Sequence, residues 1–484
     1  MRLTTSDASF LYLETASGPM HISSIMILEG DMEFADIYDH FEARMHLLPA
    51  YRRKLAQIPF NLAHPKWVDD PDFDLANHLI HHPVQAGTSL DEAIDMAVRI
   101  NEPMLDRTRP LWMTYVITGV ADTTLVLHAT HHCMIDGASG VELMAIIYDF
   151  DPAGDPVTPP SEPWEPAAPP APASLFTEAL SENLQELGET NWGELISTSS
   201  DQQSLMRRAT KVVADFVAKP VVTAPFNAGM VGPHRRLAWM KQPFDDIREV
   251  RRALGGTIND IVLTLVSEAV AQYLEEHGEP TTDQYMRIMC PVNVRTEDQQ
   301  GALGNQVSAI FPVLPAWPMA ATQRLSAVCA ETEKIKQNQE AQALTLLQES
   351  APEPWPVALW PTQLIGTSYD PTQLASRFPM PVLPQGMRPP NVGYNFTCTN
   401  VPGAQVPQYL CGHRITDQVG LLILTGNVGF STTILSYNKT LFFGFISEPR
   451  LMPDVEKISI AAARTFDDLL EQARQRAATL AQQD

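Results

Sequence analysis

Residues 151–174 read DPAGDPVTPPSEPWEPAAPPAPAS, nine prolines in 24 positions. Proline locks φ and gives up its N–H, so this stretch cannot be a core helix or a central strand. It is expected to run over the surface as a semi-rigid linker or crossover. It also divides a chain of 484 residues, longer than a single core usually supports. The organisation expected is one lobe over residues 1–150, a proline-rich and helical connection over 151–224, and a second lobe over 225–484.

Both lobes mix helix and strand signals, which makes the fold class α/β. In the first, His21–Glu29 is apolar and rich in β-branched residues, a strand pattern. Residues 34–47 carry helical periodicity. Residues 89–101 form a helix opened by Ser89 with Glu92 three positions on, a capping box. Residues 112–118 and 123–130 are strands at hairpin spacing, and 137–150 a helix. Residues 175–219 are mostly helical, with an interruption at 197–201. In the second lobe, helices are expected over 245–254, 259–276 and 458–483. Strands are expected over 235–240, 285–294 and 306–314, and over 419–424 and 429–437 at hairpin spacing.

The formal net charge is −24, with 44% apolar and only 19% charged residues. So few charges imply an apolar surface or a large apolar cleft. The negative sign argues against a nucleic-acid partner, which needs clustered Lys and Arg. It also disfavours electrostatic docking on anionic membranes, so peripheral contact with a membrane or lipid droplet would be hydrophobic. Five cysteines, Cys133, Cys290, Cys329, Cys398 and Cys411, form no zinc or redox spacing and fit reduced thiols in a cytoplasmic protein. The N-terminus carries no secretory pattern. Residues 258–274 are interrupted by Asn259, Asp260 and Glu268, so no membrane span is expected.

The run His131-His132-Cys133-Met134-Ile135-Asp136-Gly137 follows a strand pattern and precedes a helix. Gly137 permits a tight backbone turn there. A histidine at a strand end can project into a cleft rather than into a core, where its pKa suits removal of a hydroxyl proton near neutral pH; the plainer alternative is a pair of partly buried histidines in a turn. Asp136 either orients the ring directly or locks the loop through an arginine. The other histidine pair, His81-His82, lacks the downstream Asp-Gly and reads as loop. His132 and Asp136 find no third ligand, so no metal is expected. There is no Gly-x-Ser-x-Gly elbow, P-loop or dinucleotide fingerprint.

The His-His-x-x-x-Asp-Gly run resembles the motif shared by CoA-dependent acyltransferases and condensation domains. Further segments resemble the bacterial wax ester synthase/diacylglycerol acyltransferase family. They are Leu3-Thr4-Thr5-Ser6-Asp7-Ala8-Ser9-Phe10 with Pro19-Met20-His21, and Trp67-Val68-Asp69-Asp70-Pro71-Asp72-Phe73-Asp74. Leu105-Asp106-Arg107 with Arg109-Pro110-Leu111-Trp112, Thr257-Ile258-Asn259-Asp260, Pro291-Val292-Asn293-Val294-Arg295 and Gly304-Asn305 follow in order. Thr399-Asn400-Val401-Pro402-Gly403 departs from the family's Ser-Asn-Val-Pro-Gly-Pro by Thr for Ser and by Ala404 for the last Pro. The resemblance implies two chloramphenicol-acetyltransferase-like lobes with a channel between them. It implies an acyl-CoA-dependent O-acyltransferase that esterifies diacylglycerol or long-chain alcohols, with acyl-CoA as a substrate and no cofactor. Its place would be the cytoplasm, peripheral to the inner membrane or lipid inclusions.

By the same resemblance His132 is the general base, His131 supports it, and Asp136 forms a structural ion pair with Arg295. Asn259 and Asp260 cap a helix or shape the channel floor. Pro110, Leu111 and Trp112 pack the core or line an acyl pocket. Thr399 and Asn400 donate to an oxyanion or to CoA, or fix a turn before Pro402. Two other classes stay open at this point. One is an acyltransferase of the same fold with another acceptor, such as a glycolipid or polyketide alcohol. The other is a lipid-binding protein without chemistry.

Overall fold

The protein is described by a computed structural model over residues 1–135, 137–189, 221–293, 307–338 and 393–482. The apolar, β-branched run at His21–Glu29 is strand β1. The first lobe adds helices α1 (Thr5–Leu13), α2 (Phe34–Arg44), α3 (Leu90–Ile100) and α4 (Gly137–Ile147). Its other strands are a small ribbon of β2 (Arg53–Ala56) and β3 (Lys66–Asp69), then β4 (Leu79–Thr88), β5 (Trp112–Val120) and β6 (Thr123–His131). The Ser89–Glu92 capping box opens α3, each side chain bonding the other's backbone N–H. β5 and β6 form the expected hairpin. One face of the sheet buries Met26, Leu28, Trp112, Val116 and Val126. The other buries Ile25, Ile27, Ile117, Leu125 and Leu127 with Ala93, Ile94 and Ala97 of α3.

His81 and His82 are not loop residues. They lie in β4, paired in parallel with Val116 and Ile117 of β5 at the sheet edge. Pro83 masks the strand in the sequence, and only an edge position tolerates it.

After the linker come α5 (Pro172–Glu189), β7 (Arg236–Pro243), α6 (Phe244–Leu254) and α7 (Ile258–Glu276). β8 (Tyr285–Asn293), β9 (Val307–Ile310), β10 (Val313–Pro315) and α8 (Ala321–Asn338) follow. The single strand expected over 306–314 is thus two, broken at Phe311-Pro312, where proline removes a ladder donor. The chain ends with β11 (Phe396–Pro402), β12 (Tyr409–Leu410), β13 (His413–Leu421), β14 (Phe430–Tyr437), β15 (Thr440–Ser447) and α9 (Glu456–Ala481). The second sheet runs β10-β8-β11-β14-β15-β7, with β9 against β8. α7 is buried nearly all round, packed by α6, α8 and α9. No single described helix is long and apolar enough to cross a membrane.

The strands near 419–424 and 429–437 do not form a hairpin. β13 leaves for the first sheet, which runs β12-β13-β1-β6-β5-β4. There it pairs antiparallel with β1, Ser23 opposite Leu421. β14 instead turns into β15 through Asn438 and Lys439, whose φ angles of 44° and 58° suit a tight hairpin turn. The donated strand packs β13 against β14 and β15, binding the lobes together. Their contact is close because two glycines meet. A Cβ on Gly444 would lie 2.4 Å from the Gly420 carbonyl oxygen, and one on Gly420 would lie 2.6 Å from Thr433 Cγ2.

The linker lies along the first lobe. The Arg52 guanidinium sits 4.4 Å over the Trp164 ring, and the Ala167 N–H donates to Asp69 Oδ2 at 3.1 Å. Residues 190–220 lie outside the described residues.

Beneath Trp112 the core holds a polar network. His128 Nε2 meets the Tyr51 hydroxyl at 2.7 Å and its Nδ1 meets the Thr114 hydroxyl at 2.7 Å. Burial pushes the His128 imidazole down to about 3, and burial lowers His21 and His78 as well. The unfolded chain, with histidines near 6.5, therefore binds more protons than the folded one. The stability held above pH 6.5 is lost as the pH falls toward the depressed folded values. His128 alone is expected to remove about 1.4 kcal/mol between pH 7.5 and 5.5. Urea unfolding at the two pH values checks this; an unchanged free energy would contradict it.

Candidate active site

Strand β6 ends at His131, directly opposite His21, the first residue of β1. The His131 N–H donates to the Leu111 carbonyl at 2.9 Å, and the His132 N–H donates to the Met20 carbonyl at 2.8 Å. The Pro-Leu-Trp run and the start of β1 thus hold the two histidine backbones from opposite sides. His131 is fully buried. Its Nδ1 accepts the Cys133 N–H at 3.1 Å, so the ring proton belongs on Nε2. That nitrogen faces Glu14 Oε1 at 3.4 Å.

His132 is half-buried. Phe10 of α1 stacks on one face of its ring, with centroids 4.0 Å apart and planes 4° from parallel. Nδ1 is buried. The ring as a whole keeps part of its surface exposed. The strand end therefore displays one imidazole and conceals its neighbour.

Glu14 and Phe10 did not stand out in the sequence as site residues. Glu14 directly follows α1 at the C-cap, 1% exposed. An acid at a helix C-terminus opposes the helix dipole, and that misfit is the one local signal for it. Oε1 accepts the Met20 N–H at 2.9 Å, and Oε2 accepts Arg107 Nε–H at 3.1 Å and Nη2–H at 2.8 Å. Burial would raise this carboxyl, but His131, the Met20 N–H and Arg107 together outweigh it and hold it at about 2. Glu14 is an ionised carboxylate, and Arg107 balances its charge.

Leu111 and Trp112 are fully buried. Trp112 Nε1–H donates to the Tyr51 carbonyl at 2.9 Å, and its ring stacks on Tyr51 and His78. Pro110 and Trp112 also border a cleft of about 250 Å³, whose lining includes neither His131 nor His132. His21, Ala129, Met113, Met104 and Tyr115 line its interior, with Asp106 and Arg109 among its polar residues. Ala129 shares a sheet face with His131, two residues on along β6.

The residue capping α7 is Thr257, not Asn259 or Asp260. Asp260 stands at the third helical position and completes a capping box, because Thr at the N-cap and an acid three residues later bond reciprocally. Its other oxygen accepts the Thr332 hydroxyl at 2.7 Å. Asn259 is reached from the neighbouring sheet: Asn400 Nδ2–H donates to its Oδ1 at 2.6 Å. Thr399 and Asn400 lie within β11 rather than in a turn. β11 is touched by α4, the helix that follows the histidine motif. Gly137 is the first residue of α4. Asp136 and Arg295 lie outside the described residues, and so does the ion pair expected between them.

Residues 3–262 match the family profile described as wax ester synthase/diacylglycerol acyltransferase catalytic domain. Residues 303–470 match the WS/DGAT C-terminal domain. A Mycobacterium tuberculosis H37Rv protein named as a diacylglycerol O-acyltransferase is 29% identical over 491 residues, 97% of this chain and 90% of that protein. The solved wax ester synthase/diacylglycerol acyltransferase from Marinobacter aquaeolei VT8 superposes with a TM-score of 0.64 at 19% identity, covering 98% of this chain and 100% of its own. Trichothecene 15-O-acetyltransferase from Fusarium sporotrichioides gives 0.61 at 10% identity, covering 97% and 94%. At these identities the two structures speak for the α/β fold of two sheet-rich lobes.

Proposed function

The chain belongs to the wax ester synthase/diacylglycerol acyltransferase family and is an acyltransferase, and from that premise we propose that it esterifies diacylglycerol or a long-chain alcohol from acyl-CoA, with His132 as the general base. The acceptor oxygen attacks the thioester carbonyl carbon while His132 takes the hydroxyl proton. The C–S bond breaks, the ester forms, and the CoA thiolate leaves, to be reprotonated from the imidazolium. Thiols ionise near pH 8.5, so this leaving group needs no covalent enzyme intermediate. His131, fully buried and facing Glu14, is assigned as a support and not a second base.

The observation that carries this reading is the half-buried His132 ring at the strand end, one face stacked on Phe10 and Nδ1 buried, beside a fully buried His131. Stacking on Phe10 and burial of Nδ1 restrain the ring's orientation, and Nε2 is assigned to take the proton. Asp136 and Arg295 are assigned to lock the loop behind it. Thr399 and Asn400, on the strand against α4, are assigned to the CoA side. Thiol release from palmitoyl-CoA, scored over a panel of diacylglycerol, hexadecanol, glycolipid and polyketide alcohols, tests the acceptor class. Turnover confined to the last two would overturn it, and acyl-CoA binding without turnover would mark a lipid-binding protein.

The cleft beside Ala129 is assigned to the hydrocarbon of a substrate, consistent with its lining of Met104, Met113 and Pro110. Filling it by Met113→Trp is expected to displace two or three methylenes. At about 0.8 kcal/mol per buried methylene, the kcat/KM for a long-chain acyl-CoA should fall roughly 10-fold or more against a short-chain one. An unchanged ratio across chain lengths would remove the assignment. The acceptors are lipids, so peripheral contact with a membrane or inclusion surface belongs to the same reading.

A further inference from the structure

Phe10 and Glu14 stand four residues apart at the end of one short helix, and side chains at that spacing share a helix face. Phe10 meets His132 and Glu14 meets His131. Glu14 also takes the N–H of Met20, whose carbonyl takes the N–H of His132. One carboxylate therefore touches one histidine directly and reaches the other through a single residue. We propose that this face of α1 is the positioning surface of the active site: Phe10 fixes the plane of the His132 ring, and Glu14 fixes the backbone and the neighbouring ring that carry it. The proposal rests on His132 being the base, and it adds two positioning residues that act without touching the acceptor hydroxyl.

The chemistry of Glu14 makes it specific. Each group facing its oxygens is a donor: the Met20 N–H, two N–H groups of Arg107, and Nε2–H of His131. Only an acceptor with two oxygens answers all of them. Glutamine has the same shape but replaces one oxygen by an NH2. In either orientation that NH2 meets donors, from Arg107 on one side or from Met20 and His131 on the other. Asparagine-like shortening is not needed to break the arrangement; one changed atom does so. Phe10 adds a planar constraint. A flat ring at 4.0 Å sets the tilt of the imidazole, which an aliphatic side chain of similar bulk would not.

The test uses the full chain with palmitoyl-CoA and its best acceptor. Glu14→Gln is expected to lower kcat about 100-fold, the scale of a misplacement of roughly 1 Å. The KM for acyl-CoA should change less than about threefold, because the substrate contacts stay. Phe10→Leu is expected to lower kcat about 10-fold with the same split. Imidazole nitrogen–carbon correlation spectra of histidine-labelled protein supply a readout that ordinary destabilisation does not move. In Glu14→Gln the His131 and His132 ring signals should shift while those of His128 and His277 stay. A folded Glu14→Gln protein with kcat within about threefold of the parent would overturn the proposal. So would a fall in kcat with unmoved His132 signals. Should Glu14→Gln not fold, Glu14→Asp keeps the acceptor-only chemistry and is expected to fold with an intermediate kcat. Parental activity in that variant and in Phe10→Leu would overturn the proposal too. If the parent itself turns over no alcohol, the assigned reaction fails, and the displaced ring signals still decide whether α1 positions the pair.

Discussion

Replacing His132 by alanine is expected to lower the kcat for thiol release from palmitoyl-CoA by about 10²–10⁴-fold, the usual contribution of a positioned base. The fold should persist. His132 is half-buried and its backbone N–H, donated to Met20, is untouched by the substitution. The side chain lost is a partly exposed ring stacked on Phe10, not a fully buried core side chain. Acyl-CoA binding is expected to stay within a few-fold. What would remain is orientation of the two substrates and stabilisation of the oxyanion, which do not need the imidazole. Thiol release with equal amounts of folded protein checks this. Full turnover by the variant would remove His132 from the mechanism.

The largest effect on stability is expected far from the chemistry, at Arg324→Leu. Arg324 and Glu268 pair between α8 and α7 with both side chains nearly or wholly hidden, Nε to Oε2 at 2.8 Å. Arg324 also donates to the carbonyls of Pro315 and Trp317, and Glu268 accepts the Met319 N–H. The pair thereby fixes the turn that returns the chain from β10 to α8. Leucine would leave the Glu268 carboxylate buried without its cation, which typically costs about 3–5 kcal/mol. That is a large share of the 5–15 kcal/mol that holds an ordinary domain together. The double change Glu268→Met with Arg324→Leu removes both charges and should recover most of the loss. Urea midpoints of the two variants decide the matter. A single variant within about 1 kcal/mol of the parent would show that the charge is solvated after all.

Local features of the sequence translated well into structure. The Ser89–Glu92 box, the β5–β6 hairpin and helix α7 each depend on residues within a few positions of one another. The histidine motif likewise declared its strand end and its helix. Long-range pairing did not declare itself. Nothing near residues 413–421 says that the strand will cross to β1, nearly four hundred residues back, because a strand's partner is set by which sheet edge is open. β15 is so continuously apolar that it shows no alternation, being buried along almost its whole length. Glu14 escaped notice for the same reason. Its partners, Arg107 and His131, are 93 and 117 positions away, and only the folded chain brings a lone glutamate against them. The departures from local rules cluster where the chemistry is assigned: an acid at a helix C-terminus, a carboxylate buried beside a histidine, and a half-exposed imidazole stacked on a phenyl ring at a strand end.

A complex with an unreactive S-alkyl-CoA thioether and the acceptor alcohol addresses the base assignment at the atoms concerned. The acceptor hydroxyl oxygen is expected within about 2.6–3.2 Å of His132 Nε2, with Phe10 still stacked on the ring. A hydroxyl seated beyond that reach, or hydrogen-bonded to a different base while His132 points elsewhere, would contradict the account.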